Sequence, residues 1–165
     1  MRRRRWFLAA APWALVGCGF QLRGAPTLAF RSLFVNAAET SPIGNELKRT
    51  LASLGTITLI EDVKLLPNAD AILDILSEAR EKTVVGINTS GQVTEFQLRS
   101  RLLFRLRTPQ GKDLIAPTEL LLHRDISFNE SAVLAKEAEE GLMYRDMQSD
   151  IVQQLMRRLA AVKSL

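Results

Sequence analysis

The clearest periodicity in the chain runs from Gln92 to Arg107, where apolar and basic positions alternate. Phe96, Leu98, Leu102, Phe104 and Leu106 share one parity, with Ser100 as the exception. Arg99, Arg101, Arg105 and Arg107 share the other, with Leu103 among them. A period of two is the mark of a strand with one face buried. Two turn clusters bound it, Asn88-Thr89-Ser90-Gly91 and Thr108 to Lys112 with Pro109 and Gly111. Ala71 to Ile87 before it and Leu114 to Phe128 after it read as long strands, the second demoted by Pro117 to an edge or a bulge. Phe30 to Val35 and Thr56 to Ile60 are shorter strand candidates, and Pro67-Asn68 is a turn. Between the short strands, Ser41-Pro42 opens a helix, with Ser as N-cap and Pro at its first position. Ile43, Leu47, Leu51 and Leu54 follow at helical spacing, and Gly55 stops it. A second helix spans about Ser131 to Val162, with Tyr144, Met147, Ile151, Leu155, Leu159 and Val162 at spacings of three and four. Glu137, Glu139 and Glu140 near its start and Arg157, Arg158 and Lys163 near its end suit the helix dipole, and Gly141 is a candidate bend. The pattern predicts an α+β fold, a two-layer sandwich with two helices packed on one face of a mostly antiparallel sheet of four to five strands. The strand-helix-strand start favours a right-handed crossover.

The first residues break this pattern. Arg2 to Arg5 form a basic run, and Trp6 to Val16 is an Ala-rich apolar stretch shorter than the roughly 20 residues a membrane span requires. This is the plan of a secretory signal. Leu15-Val16-Gly17-Cys18 completes it as a lipobox, in which the thiol of Cys18 takes a diacylglycerol before the cut. The expected organisation is a lipoprotein signal peptide over 1–17, a lipid-anchor leader over 18–29 with Gly24 and Pro26 as breakers, and one domain over 30–165. Arg4-Arg5-Trp6-Phe7-Leu8 also resembles a twin-arginine export signal. Gly19 rather than Asp follows Cys18, which favours release to the outer membrane.

Processing changes the charge argument. Four of the 22 basic side chains leave with the signal, so 18 remain against 18 acidic ones. Net charge therefore gives no nucleic-acid reading. The one Cys in the sequence is the lipobox thiol, which rules out an internal disulfide.

Four guanidinium groups along one strand face would span roughly 27 Å at about 3.3 Å per residue. Pairing Arg107 with Asp113 across the turn sets Arg101 against Glu119, Leu106 against Leu114 and Leu98 against Leu122. Arg99 and Arg105 then face Leu121 and Ile115, without a compensating charge. Two readings stay open. One is a solvated face with cross-strand ion pairs worth about 0.2–1 kcal/mol each. The other is a face for an anionic ligand, because Arg binds phosphate in bidentate geometry. His123, the single His, falls on the polar face near Gln97 with no nucleophile or metal-ligand partner pattern. No paired-carboxylate motif, phosphate-cradling loop or metal spacing is present, so the chain reads as a non-enzyme without cofactor.

Gly17-Cys18-Gly19-Phe20-Gln21-Leu22-Arg23-Gly24 resembles the start of the LptE family of lipopolysaccharide-assembly lipoproteins. The resemblance continues through the capped helix with its Leu-x-x-Leu-Gly end and through Ser90-Gly91-Gln92-Val93-Thr94-Glu95-Phe96-Gln97-Leu98. It ends in Ala132-Val133-Leu134-Ala135-Lys136 and the Met/Leu-rich last helix. It implies a non-enzymatic outer-membrane lipoprotein, held by its lipid on the periplasmic side. It also implies that the chain plugs the lumen of the LptD β-barrel, helps it assemble, and binds lipopolysaccharide in transit to the outer leaflet. The family contacts lipopolysaccharide through basic residues of a hairpin turn and of the loop before the last helix. Lys136 matches the second position, whereas Thr89 stands at the first. The candidate ligand contacts are thus Lys136, Arg99, Arg105, Arg101 and Arg107. The alternative function is a generic periplasmic scaffold or pilotin for another outer-membrane pore; an envelope hydrolase lacks its catalytic set.

Overall fold

A computed structural model describes residues 28–164. Strand β1 (Ser32–Asn36) leads to helix α1 (Pro42–Leu54) and strand β2 (Thr58–Ile60). A 3-10 segment (Val63–Asn68) precedes three long strands, β3 (Ala71–Ile87), β4 (Val93–Arg107) and β5 (Asp113–Ser127). A second 3-10 turn (Glu130–Ala132) enters helix α2 (Val133–Ala160). The signal, the leader as far as residue 27, and Cys18 with its lipobox lie outside the described residues.

The helix ends form as their sequence dictates. The Ser41 side chain accepts a hydrogen bond from the Gly44 N–H at 2.9 Å and donates to the Glu78 carboxylate, which places an anion at the positive end of α1. Gly55 closes the helix at φ 65°, a conformation that glycine adopts without a Cβ penalty. Helix α2 runs unbroken through Gly141.

The sheet order is β2-β1-β3-β4-β5. β3, β4 and β5 form the expected antiparallel meander, but β1 lies parallel to both β2 and β3. The sheet is therefore mixed rather than mostly antiparallel. The cause is the connections: α1 between β1 and β2, and the 3-10 segment between β2 and β3, return the chain in the same direction, which a tight hairpin cannot do.

Both α-helices cover one face. Ile43, Leu47 and Leu51 of α1 and Ile151, Leu155 and Leu159 of α2 pack on Leu102, Phe104 and Leu106 of β4 and on Leu33 and Leu73. Leu98, Ile126 and Met147 extend this core toward the β3–β4 turn. A smaller cluster forms on the opposite face, where Leu66 of the 3-10 segment and Ala69 just after it pack with Phe34 and Ile72. Beyond that cap the second face of the sheet carries the arginines.

Candidate functional site: the charged face of the sheet

Along β4 every second residue from Leu98 to Leu106 is buried, and Arg99, Arg101, Arg105 and Arg107 lie on the other face, partly exposed. The strand faces are those the alternation predicts. The charge pairing is different. The β4–β5 register starts at Arg107↔Asp113 as expected, then shifts, giving Leu106↔Ile115 and Phe104↔Thr118. Arg101 therefore stands opposite Leu121 rather than Glu119, Leu98 opposite Arg124 rather than Leu122, and Arg99 opposite His123 rather than Leu121. Gln97 pairs with Asp125, one step along from His123 on the same face. One irregularity falls at Leu114 and the other spans Ala116 and Pro117, on what is the edge strand of the sheet.

The expectation that Arg105 is uncompensated is overturned by β3, the other neighbour of β4. Asp74 stands opposite Arg105 in that register. Its side chain is 4 % exposed and accepts hydrogen bonds from Arg105 Nη2 at 2.8 Å, Arg107 Nε at 2.7 Å and Asn36 Nδ2 at 2.9 Å. Burial alone would raise the Asp74 pKa; the bonds from Arg107, Asn36 and Arg105 outweigh it and hold the carboxyl at about 2. The same bond raises the Arg107 pKa. Arg101 lies 3.7 Å from both Glu81 and Glu119. Arg99 is the one β4 arginine with no carboxylate within 4 Å among the described residues; its Nε donates to Gln97 Oε1 at 2.8 Å, and Gln97 in turn donates to Asp125.

Lys136 sits on the first turn of α2, where its Nζ donates to Ser127 Oγ at 3.1 Å and to Glu139 at 2.9 Å. Ser127 pairs with Glu95 at the start of β4, some 40 Å along the strand from Arg107 at about 3.3 Å per residue. The structure thus does not gather the candidate cations into one cluster. Lys136 and Arg99 belong to the half of the sheet near the β3–β4 turn, and Arg105 and Arg107 to the half near β1. Asp74, which ties the second pair together, was missed from sequence, although a lone carboxylate inside Ala71-Ile72-Leu73-Asp74-Ile75 signals a buried partner.

A second polar network joins the sheet to α2 near the same turn. Lys82 pairs with Glu140 at 2.6 Å and sits over the Phe96 ring at 4.4 Å, while Arg80 bonds Gln148 and lies over Tyr144. Tyr144 donates to the Glu81 carbonyl at 2.8 Å. An open groove of about 740 Å³ lies between α1 and α2, lined by Thr50, Leu54, Val152, Met156 and Ala160 among others. No group of three or more His, Cys, Asp or Glu side chains suited to a metal ion occurs among the described residues.

A family model for LptE, described as lipopolysaccharide-assembly, matches residues 30–159. Among named relatives, the LPS-assembly lipoprotein LptE of Pectobacterium atrosepticum is 28% identical, the match covering 98% of this chain and 88% of that one. The protein of the same name from Yersinia pestis is 29% identical, over 94% of this chain and 74% of that one. Among solved structures, lipoprotein B of Nitrosomonas europaea superposes with a TM-score of 0.74 at 33% identity, covering 87% of this chain and 91% of that one. A minor lipoprotein of Acinetobacter baumannii gives 0.64 at 24% identity, covering 82% and 94%, and so shares the fold.

Proposed function

The chain belongs to the LptE family, and from that premise we propose that it is an outer-membrane lipoprotein that plugs and helps assemble the LptD β-barrel and binds lipopolysaccharide in transit to the outer leaflet. The observation that carries this reading is the family match across 30–159, nearly the whole folded part of the chain. Its role is non-catalytic: it holds, positions and hands on. No helix among the described residues is long and apolar enough to cross a membrane, so in this reading the lipid on Cys18 is the tether.

Arg99 and Lys136 are the foremost lipopolysaccharide contacts in this account. Lys136 lies at the β3–β4 turn end of the sheet and shares its charge only with the exposed Glu139, and Arg99, near the middle of β4, has no carboxylate to displace. Arg105 and Arg107 are held by Asp74, so a phosphate would have to compete with a buried carboxylate for them. Arg101, shared between two exposed carboxylates at 3.7 Å, is intermediate. Attraction at an exposed face is screened over roughly 8 Å at physiological salt, so single changes should be mild. The test is binding of lipopolysaccharide by the purified chain carrying Arg99→Glu and Lys136→Glu together, with circular dichroism as folding control. We expect a clear fall in the double variant, little change in Arg105→Gln, and salt sensitivity in the parent. Parent-like binding by the folded double variant would refute the assignment. Lost barrel association with intact lipopolysaccharide binding would give this face to LptD.

A further inference from the structure

The two edges of the sheet are unequal. β2 ends it on one side with only Thr58–Ile60, too short to template another strand. β5 ends it on the other with Asp113–Ser127. The first part of β5 is guarded by Pro117 and the register shifts. From Thr118 to Ser127 the register to β4 runs without interruption.

The direction of each backbone group on this stretch follows from one bond. The Phe128 N–H donates to the Thr94 carbonyl at 2.8 Å, which makes that pair hydrogen-bonded. Bonded and non-bonded pairs alternate in an antiparallel ladder. Ile126, Arg124, Leu122, Leu120 and Thr118 therefore bond to β4. Ser127, Asp125, His123, Leu121 and Glu119 turn their N–H and C=O groups outward, and no other described residue bonds to those groups. They form an unoccupied half-ladder with unbroken register.

We propose that this half-ladder, Glu119–Ser127, is a docking edge that takes an extended segment of a different polypeptide as an added strand. Backbone bonds would supply attraction, and side chains on the two faces would supply selection. On the charged face Glu119 and Asp125 flank Leu121 and His123. Both carboxylates are exposed, Glu119 reaching Arg101 only at 3.7 Å and Asp125 accepting from the neutral Gln97, so the fitting segment carries cations opposite them and an apolar residue between. On the helix face it meets Leu120, Leu122 and Ile126, with Arg124, paired to Asp150, between the last two, which favours apolar or β-branched residues opposite the three and a polar one opposite Arg124. A second copy fits poorly. Antiparallel self-pairing centred on His123 sets Leu121 against Asp125, on Leu122 sets Glu119 against Asp125, on Arg124 sets two arginines together, and on Leu121 sets Asp125 against Pro117, which offers no N–H.

The probe is a synthetic peptide of about nine residues, with lysines opposite Glu119 and Asp125 and valine or threonine elsewhere. It is added to the detergent-purified full-length chain, and amide hydrogen exchange is read residue by residue. The N–H groups of Glu119, Leu121, His123 and Asp125 should slow by roughly tenfold or more at saturation, while those of Leu120, Leu122 and Arg124, already in the ladder, should hardly change. Glutamates in place of the peptide lysines should weaken binding at least about tenfold. Leu121→Pro removes an outward donor without touching the bonds to β4, and should abolish binding with the circular dichroism unchanged. N-methylation of alternate peptide amides should do the same with the protein unaltered. Absence of the alternating protection at millimolar peptide, or equal binding by the N-methylated peptide, would overturn the proposal. So would the same protection arising without peptide as protein concentration rises, which would assign the edge to a second copy.

Discussion

Replacing Asp74 by Asn tests the electrostatic account of the sheet face most sharply. The Asp74 side chain is 4 % exposed and gathers Arg105, Arg107 and Asn36. Its pKa lies at about 2 against an ordinary 3.8. At about 1.4 kcal/mol per pKa unit, the ionised form stabilises the fold by about 2 kcal/mol at neutral pH. Breaking a fully buried ion pair costs about 3–5 kcal/mol. Here the abandoned guanidinium groups keep 34 % and 23 % exposure and can turn to water, which holds the cost at the lower figure. The sign is fixed by the direction of the shift. A depressed carboxylate contributes fully above its unfolded pKa and loses that contribution as pH falls from about 4 toward 2. Urea unfolding of parent and Asp74→Asn at a series of pH values should thus show a gap of about 2 kcal/mol at pH 7. That corresponds to about 6 °C in melting temperature for a domain of this size. The gap should halve near pH 3 and nearly close below pH 2. A gap that stays constant from pH 7 to pH 2, or one below about 0.5 kcal/mol throughout, would refute the claim that Asp74 is the ionised hub of the face.

Two further changes probe the chain at other levels. Cys18→Ala should leave precursor that is neither cleaved nor labelled by radioactive palmitate; mature, acylated protein in that variant would contradict the lipobox. Leu98→Asp puts a carboxylate against Ile126 and Met147 at a site with 0 % exposure, at a cost of several kcal/mol, and should abolish soluble expression. Arg99→Asp on the other face should fold, and equal tolerance of both changes would mean the strand faces are reversed.

Elements governed by local chemistry were legible in the sequence. The Ser41 cap, the Gly55 stop, the alternation of β4 and the spacing of apolar residues in α2 depend on neighbours within a turn or a strand, and each element formed within about two residues of its expected limits. What depends on distant parts of the chain was not legible. The β4–β5 register could be started from the turn at Arg107↔Asp113 but not carried further, because the irregularities at Leu114 and at Ala116-Pro117 move every later pair. The partner of Arg105 was invisible to hairpin reasoning, since an interior strand has two neighbours and Asp74 arrives from the one 31 residues earlier. β1 lies between β2 and β3 because of how the α1 and 3-10 connections pack, which periodicity does not encode. The candidate cations followed the same rule: their faces could be read from sequence, and their neutralisation by β3 and α2 could not.

The central claim, that this chain works as the lipid-anchored partner of an LptD barrel, is tested most directly by what it holds in the membrane. An affinity-tagged full-length chain expressed in its native host would be extracted in mild detergent, and the purified assembly analysed by native mass spectrometry. The account predicts an LptD barrel bound in roughly equal amount, in a complex that survives washing. Recovery of the chain without that barrel, or bound to a different outer-membrane pore, would contradict it and favour a scaffold or pilotin role.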